Sequence, residues 1–257
     1  MIIDVNVSLS RWPFRRLHGD DTPALVEKLR QQNVTQAWCG SFDALLHRDL
    51  ASVNARLTDE CQKHGDGLLI PFGAVNPMLP DWEEDLRRCH EEHRMPGIRL
   101  HPNYHGYKLD GDEFAQLARL AAERKLIVQI PVMLEDERTL HPLVQVAHVD
   151  AAPLVEIIET LPQLRVVLLN AHRNVRGELR QKLVAAGQVY FDIANLEGVG
   201  GIEKLLVEVP MGRILFGSHF PLFYFEAALL KLQESPLAGG QIEAIRSEHA
   251  QRLLGAD

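Results

Sequence analysis

The residues with the clearest chemical capacity stand at the ends of short apolar runs. Arg99 and His101 lie two apart in Gly97-Ile98-Arg99-Leu100-His101, and alternation along a strand puts both on one face. Asn170 and His172 have the same spacing, and share a face only while the backbone stays extended. With Asn6, Gln129, Asp192 and His219 they would line one pocket with imidazoles, a guanidinium and a carboxylate. Such a set suits proton transfer on a small anion. His219 would act as general acid or base and His101 in the complementary part, since an ordinary imidazole titrates at about 6.5. Arg99 would clamp a carboxylate, with Asn6, Asn170 and Asp192 also binding substrate. The alternative uses are structural: hydrogen-bonded imidazoles, and an Arg99–Asp192 pair bracing the fold, because an always-charged guanidinium is costly to bury alone.

Two connecting segments add to this set. In residues 10–16, Trp12 and Phe14 offer aromatic surface and Arg15 a cation, so the segment either walls a substrate or plugs the pocket. Residues 133–142 form the second. A metal site rebuilt from His101, His172 and His219 is chemically possible, because three imidazoles and an open position suit catalytic zinc. Without it, no cofactor is expected. The three cysteines, Cys39, Cys61 and Cys89, are widely spaced with no CxxC pair, and read as buried thiols rather than ligands or nucleophiles.

The elements that must position these groups follow one rhythm. Strand-like runs at 2–8, 36–41, 68–75, 97–101, 126–132, 165–170, 189–194 and 213–218 alternate with stretches of helical period, the pattern of repeated βα units. Eight such runs in 257 residues give the expectation of an α/β protein, a distorted (β/α)8 TIM-type barrel forming a single domain over 1–257. Thr22-Pro23 opens one helix, acids at Glu83 and Glu84 and at Asp112 and Glu113 mark the starts of others, and Pro153-Leu154 opens another. A closing amphipathic segment, residues 242–254, is expected on the barrel exterior. His47, His64, His90, His93 and His249 fall in helical or loop contexts and are expected to face solvent.

Composition narrows the partners. The formal charge is −8, hydrophobic residues make up 46% and charged residues 24%, and there is no dense Lys/Arg stripe for nucleic acid or an anionic membrane. A small molecule is the expected partner. No signal peptide or membrane-length apolar run is visible, so a cytoplasmic location is the expectation. The apolar cluster Phe220, Leu222, Phe223, Tyr224 and Phe225 would supply core packing, or a contact in a homodimer.

The ordered landmarks Ile2-Ile3-Asp4, Gly97-Ile98-Arg99-Leu100-His101-Pro102, Arg165-Val166-Val167-Leu168-Leu169 and Arg213-Ile214-Leu215-Phe216-Gly217-Ser218-His219-Phe220-Pro221 span nearly the whole chain. In them the sequence resembles the amidohydrolase superfamily, closest to the branch that includes aminocarboxymuconate-semialdehyde decarboxylase. The resemblance implies a barrel whose first strand ends in His-x-His, whose fifth and sixth strands supply His, and whose eighth supplies Asp to a catalytic metal. Here those positions read Asn6 and Ser8, Pro131, Asn170, and His219 after Gly217-Ser218. Proline has no side-chain donor, and Asn and Ser are weak neutral ones, poorly matched to zinc. The resemblance therefore implies a hydrolase or lyase of a small carboxylated compound working without the usual metal centre. Water attack without a Lewis acid requires a reactive substrate such as a lactone or activated ester. The alternative is a non-catalytic barrel that binds a small ligand or a partner protein.

Overall fold

A computed structural model describes residues 1–255. Its strands are β1 Ile2–Leu9, β2 Val34–Ser41, β3 Leu69–Pro71, β4 Gly97–Arg99, β5 Ile127–Pro131, β6 Arg165–Leu169, β7 Gln188–Asp192 and β8 Ile214–Leu215. All eight expected strands are present. Every pairing is parallel, in two sheets ordered β1-β2-β3 and β4-β5-β6-β7-β8. Two seams join the sheets into a closed, distorted barrel. At one, Gly73 bridges Ile98, with Arg99 N donating to Gly73 O at 2.7 Å. At the other, Val7 bridges Phe220, and Val5 N and Ser8 N donate to Phe216 O and Phe220 O, both at 3.0 Å.

The strands that differ most from their sequence limits lie at these seams. β3 ends early because Pro71 has no N–H to offer and the chain then changes neighbours, Phe72 still bonding to Cys39 O at 2.8 Å while Gly73 turns to β4. β8 is two residues long because Phe216 N bonds Ile245 O, at 3.0 Å, instead of a strand.

Alternating residues build two cores, as a strand buried on both faces requires. Val166 and Leu168 belong to the large cluster shared with the surrounding helices, whereas Val167 and Leu169 join Ile3, Val5, Trp38, Phe72, Ile127 and Leu215 inside the barrel. Trp38 and Phe72 stack there with ring centroids 5.0 Å apart. Helices pack outside, among them Thr22–Gln31, Leu50–Gly65, Trp82–Glu91 and Asp112–Glu123. The first is capped by Asp21 rather than Thr22, the carboxylate accepting from Ala24 N, so Thr22 is already helical.

The closing segment corrects an expectation. It runs as Gly239–Glu243, a wider turn at Ala244–Glu248, and His249–Leu254. Ala250 and Leu253 pack into the cluster that fills the barrel, and His249, far from facing solvent, is buried with Nδ1 2.7 Å from Ile214 O. Its apolar stripe covers the barrel where the short β8 leaves it open. No helix among the described residues is long and apolar enough to cross a membrane.

Arg99 spans the barrel interior at 2% exposure. A Cβ on Gly40 would stand 2.7 Å from Arg99 Cδ and 2.9 Å from Nη1, so only glycine leaves room on β2 for the guanidinium. Gly40→Ala is therefore expected to lower stability by about 1–3 kcal/mol in urea denaturation. Gly212→Ala, in open space, should change it by less than ~0.5 kcal/mol and serves as control.

Candidate active site at the barrel mouth

The polar residues at the carboxyl ends of the strands form two linked groups. In the first, Asn6 Nδ2 donates to Asn170 Oδ1 at 3.0 Å and to Asp192 Oδ2 at 2.7 Å, while Asn170 N donates to Asp192 Oδ1 at 2.9 Å. Asn170 Nδ2 continues to Met133 O at 2.9 Å. A Cβ on Gly217 would meet Asp192 Oδ2 at 2.7 Å, so glycine there admits the carboxylate. The structure brings Asn6, Asn170, Asp192 and His219 together, and they hydrogen-bond to one another.

His219 faces two acceptors. Nε2 lies 2.8 Å from Leu134 O and Nδ1 lies 3.3 Å from Asn6 Oδ1, whose amide is oriented by its two donor bonds. A neutral imidazole donates from one nitrogen only, so the shorter contact carries the proton and Nδ1 meets a second acceptor. Burial pushes the His219 pKa down to about 4, the Leu134 carbonyl opposing and the Arg99 charge adding to it. Both Asn170 and His219 have left-handed backbone, with φ 53° and 59°, a conformation that costs energy and clusters at functional sites.

Arg99 has a different role from either one expected of it. Its five N–H groups are all engaged. Nε donates to Gln129 Oε1 at 2.8 Å, Nη1 to Val7 O at 2.7 Å and Ser8 Oγ at 3.2 Å, and Nη2 to Trp38 O at 3.0 Å and Val5 O at 3.4 Å. Gln129 Nε2 bonds Val5 O as well, at 2.9 Å. No ion pair joins Arg99 to Asp192 among the described residues, and no donor is left for a substrate carboxylate; the substrate-clamp reading is corrected by this cage of oxygens. Burial lowers its pKa only to about 10, so it stays cationic at neutral pH.

This donor set does not fit the metal that the resemblance implies. Ser8 Oγ accepts from a permanent cation, Pro131 offers no side-chain donor, and the amides of Asn6 and Asn170 are taken up by each other, Asp192 and Met133. The rebuilt imidazole set does not assemble either. His172 Nε2 is 2.6 Å from Asp192 O and its ring leans on Phe191 of the outer core, while His219 turns to Leu134. No group of three or more His, Cys, Asp or Glu that could hold a metal occurs among the described residues.

The second group lies under the two loops. Trp12, Phe42, Leu45 and Leu134 form a small core over the mouth, Trp12 being 2% exposed and edge-on to Phe14 and Phe42 at 5.5 and 5.1 Å. Trp12 is a plug. The loops are clasped by an Arg15–Glu135 ion pair and by Phe14 stacked on His141 at 5.6 Å. Trp12 Nε1, Glu135 Oε2 and His101 Nδ1, each on a segment that follows the carboxyl end of a strand, are buried without a hydrogen-bond partner. His101 packs edge-on to His105 at 5.9 Å, and burial, with His105 and Arg99 nearby, holds its pKa well below 6.5. Arg15 keeps 45% side-chain exposure, reaching both the ion pair and solvent.

Glu135 and Asp4 were not among the candidates read from the sequence. Asp4 is fully buried, its Oδ1 accepting from Asn6 N and Ser218 N, both at 3.0 Å, and its Oδ2 unpartnered. The signal was present, an acid inside the apolar run Ile2-Ile3-Asp4-Val5 of a strand buried on both faces. Glu135 carries no such signal, because it sits in a polar loop.

Burial raises Asp4 to about 7, partly offset by its bonds to Ser218 and Asn6. A carboxyl with a raised pKa stabilises the fold below about 4 and loses that contribution as pH rises through about 7. Asp4→Asn should therefore gain stability relative to the native chain between pH 5 and 7.5, by ~2–4 kcal/mol, read as the difference between urea midpoints. For the metal, 1 mM zinc or manganese should move the unfolding temperature by less than about 1 °C, since an ion bound only by the native state would raise it. A saturable rise of several degrees would contradict the misfit described above.

Comparison with known proteins agrees with this architecture. A 2,6-dihydroxybenzoate decarboxylase from Rhizobium superposes with a TM-score of 0.70 at 13% identity, covering 98% of each chain. A dihydroxybenzoic acid decarboxylase from Polaromonas sp., with bound manganese and the inhibitor 2-nitroresorcinol, gives 0.75 at 13% identity over 98% of this chain and 96% of that one. A 4-oxalomesaconate hydratase from Rhodopseudomonas palustris gives 0.66 at 15% identity over 99% and 95%. At such identities the likeness shows the fold alone. No protein with a curated function matches in sequence. The sequence profile of the family described as Amidohydrolase matches residues 10–255, nearly the full length, and the chain belongs to that family.

Proposed function

We propose that the protein is a hydrolase or lyase acting on a small carboxylated compound at the barrel mouth, through side-chain proton transfer rather than the metal centre of its family. The observation that carries this is that Trp12 Nε1, Glu135 Oε2 and His101 Nδ1 are each buried without a partner just past the carboxyl ends of β1, β5 and β4, where a parallel barrel places its chemistry. A native fold rarely leaves such atoms unmatched, and a bound substrate would complete them. Trp12 Nε1 donates to a substrate carboxylate and Glu135 Oε2 accepts from a substrate hydroxyl. In hydrolysis His101, held neutral by burial, takes the proton from a water that adds to the substrate's ester carbonyl and returns it to the departing alkoxide as the acyl–oxygen bond breaks. Arg15, at the edge of the clasp, draws the anion in. The decarboxylases of dihydroxybenzoates and the hydratase of 4-oxalomesaconate among the structural relatives handle carboxylated compounds, which supports the substrate class and a place in the decarboxylase-like branch.

A second reading rests on the closed mouth. Trp12, Phe42, Leu45 and Leu134 seal it, as suits a barrel that binds a ligand or partner without turning it over.

Assays with 4-nitrophenyl hydrogen succinate, its uncharged butyrate analogue and 2,6-dihydroxybenzoate separate the two. The proposed enzyme should prefer the carboxylated ester or decarboxylate the benzoate. His101→Gln should then lower kcat by about 100-fold or more, and Trp12→Phe should raise KM with a smaller effect on kcat. Saturable binding without turnover of any of the three would favour the second reading, and full activity in His101→Gln would remove His101 from the mechanism.

A further inference from the structure

A cavity of about 340 Å³ opens where β6 and β7 end, lined by His172, Arg173, Arg176, Arg180, Glu197 and Glu208 among others. It is distinct from the sealed mouth. Its charge is uneven, three arginines against two glutamates, and the arginines differ in what they meet. Arg173 pairs with Asp136 at 2.8 Å and Glu197 at 3.5 Å, and Arg180 with Glu208 at 2.8 Å. Arg176 has no acidic partner among the described residues. Its Nε donates to His172 O at 2.9 Å, which aligns the guanidinium and leaves its remaining N–H groups to solvent. The helix Gly177–Ala186 starts beside it, but its first N–H already donates to Glu208 Oε2 at 3.2 Å, so Arg176 is the free cationic donor at this place.

The second element is His172, which lines the cavity and is 5% exposed. Nε2 lies 2.6 Å from Asp192 O, and a carbonyl can only accept, so the ring proton sits on Nε2. Nδ1 is therefore a bare lone pair, buried and without a partner. Burial, with Arg180 next in effect, lowers the ring pKa to about 3, so the lone pair persists through the neutral range.

We infer that this cavity is a binding site for a small hydroxycarboxylate, the carboxylate meeting Arg176 and the hydroxyl donating to His172 Nδ1. A guanidinium holds a carboxylate through two parallel bonds, which a lone alkyl acid would also satisfy. The imidazole lone pair supplies the selectivity, since only a ligand carrying a donor next to its acid group completes it. An ammonium in place of the hydroxyl would be repelled by Arg176, the guanidinium of the cavity that no carboxylate neutralises. The site is joined to the mouth through Asp192, whose carbonyl holds His172 and whose carboxylate holds Asn6, and through Asn195, which accepts from His172 N and donates to Asn170 O.

The test is a titration of the isotopically labelled full chain with L-lactate, propionate and L-alanine, followed by backbone amide and histidine-ring nitrogen resonances. Lactate should shift amides of residues 172–180 saturably below about 50 mM and move the His172 Nδ1 resonance, whereas propionate should bind at least about threefold more weakly and leave Nδ1 unmoved. Arg176→Gln, at an exposed position that spares the fold, should weaken lactate at least fivefold, with the unfolding temperature unchanged. The proposal is overturned by absence of a saturable shift at 50 mM, by equal affinity for propionate, by tighter binding of alanine, by an indifferent Arg176→Gln, or by shifts confined to Trp12 and Glu135. Because the readout is binding mapped to residues, failure here is distinct from failure of turnover at the mouth.

Discussion

An arginine that stays protonated at neutral pH lies wholly inside this barrel, and much of the local architecture answers to it. Removing a guanidinium from water is tolerable only if every N–H finds an oxygen. β1 supplies two through Val5 O and Val7 O, β2 one through Trp38 O, and Gln129 and Ser8 supply the rest. The pairing of β1 with β2 slips between Asp4 and Val7, in the stretch that includes the Val5 carbonyl. Gly40 clears the space and Gln129 holds both the guanidinium and the Val5 carbonyl. The same arrangement bears on the chemistry. A fixed cation beside Ser8 and an amide network through Asn6 and Asn170 occupy the ground on which relatives of this fold are expected to hold a metal.

The fold was legible because its signals are local and repeated. Eight apolar runs punctuated by Gly, Pro, Asn and His marked every strand, and the acids of Glu83, Glu84, Asp112 and Glu113 marked helix starts that the structure places at Trp82 and at Asp112 itself. What escaped were features that depend on distant partners. The helix cap moved from Thr22 to Asp21, a choice between adjacent residues that both cap well. Residues 242–254 looked like an exterior helix, because an amphipathic stripe says that one face is buried and not against what. β3 and β8 were read too long, because the bonds that end them lead to β4 and to Ile245.

The site was legible as a list of residues and not as a set of roles. Asn6, Asn170, Asp192 and His219 do converge, yet their mutual hydrogen bonds could not be read from spacing. Arg99 was narrowed to a substrate clamp or a partner of Asp192, and a cage of main-chain oxygens satisfied it instead, since carbonyl direction is invisible in a sequence. Arg15 and Trp12 were singled out within their loop, while the buried acid that Arg15 meets, Glu135, lay unremarked among the charges of its own loop. His172 entered as a metal ligand, and its contact with the Asp192 carbonyl fixes a tautomer with a bare nitrogen turned elsewhere.

The barrel closes through residues that follow all of its strands. Phe216 N meets Ile245 O, His249 reaches Ile214 O, and Ala250 and Leu253 pack against the interior. During synthesis the ribosome would thus release β1 to β8 before the piece that seats them, leaving Ile3, Val5 and Leu215 uncovered in the nascent chain. Such a polypeptide gains its final cooperativity only after residue 253 has cleared the exit tunnel, and until then it presents the apolar surface that chaperones recognise.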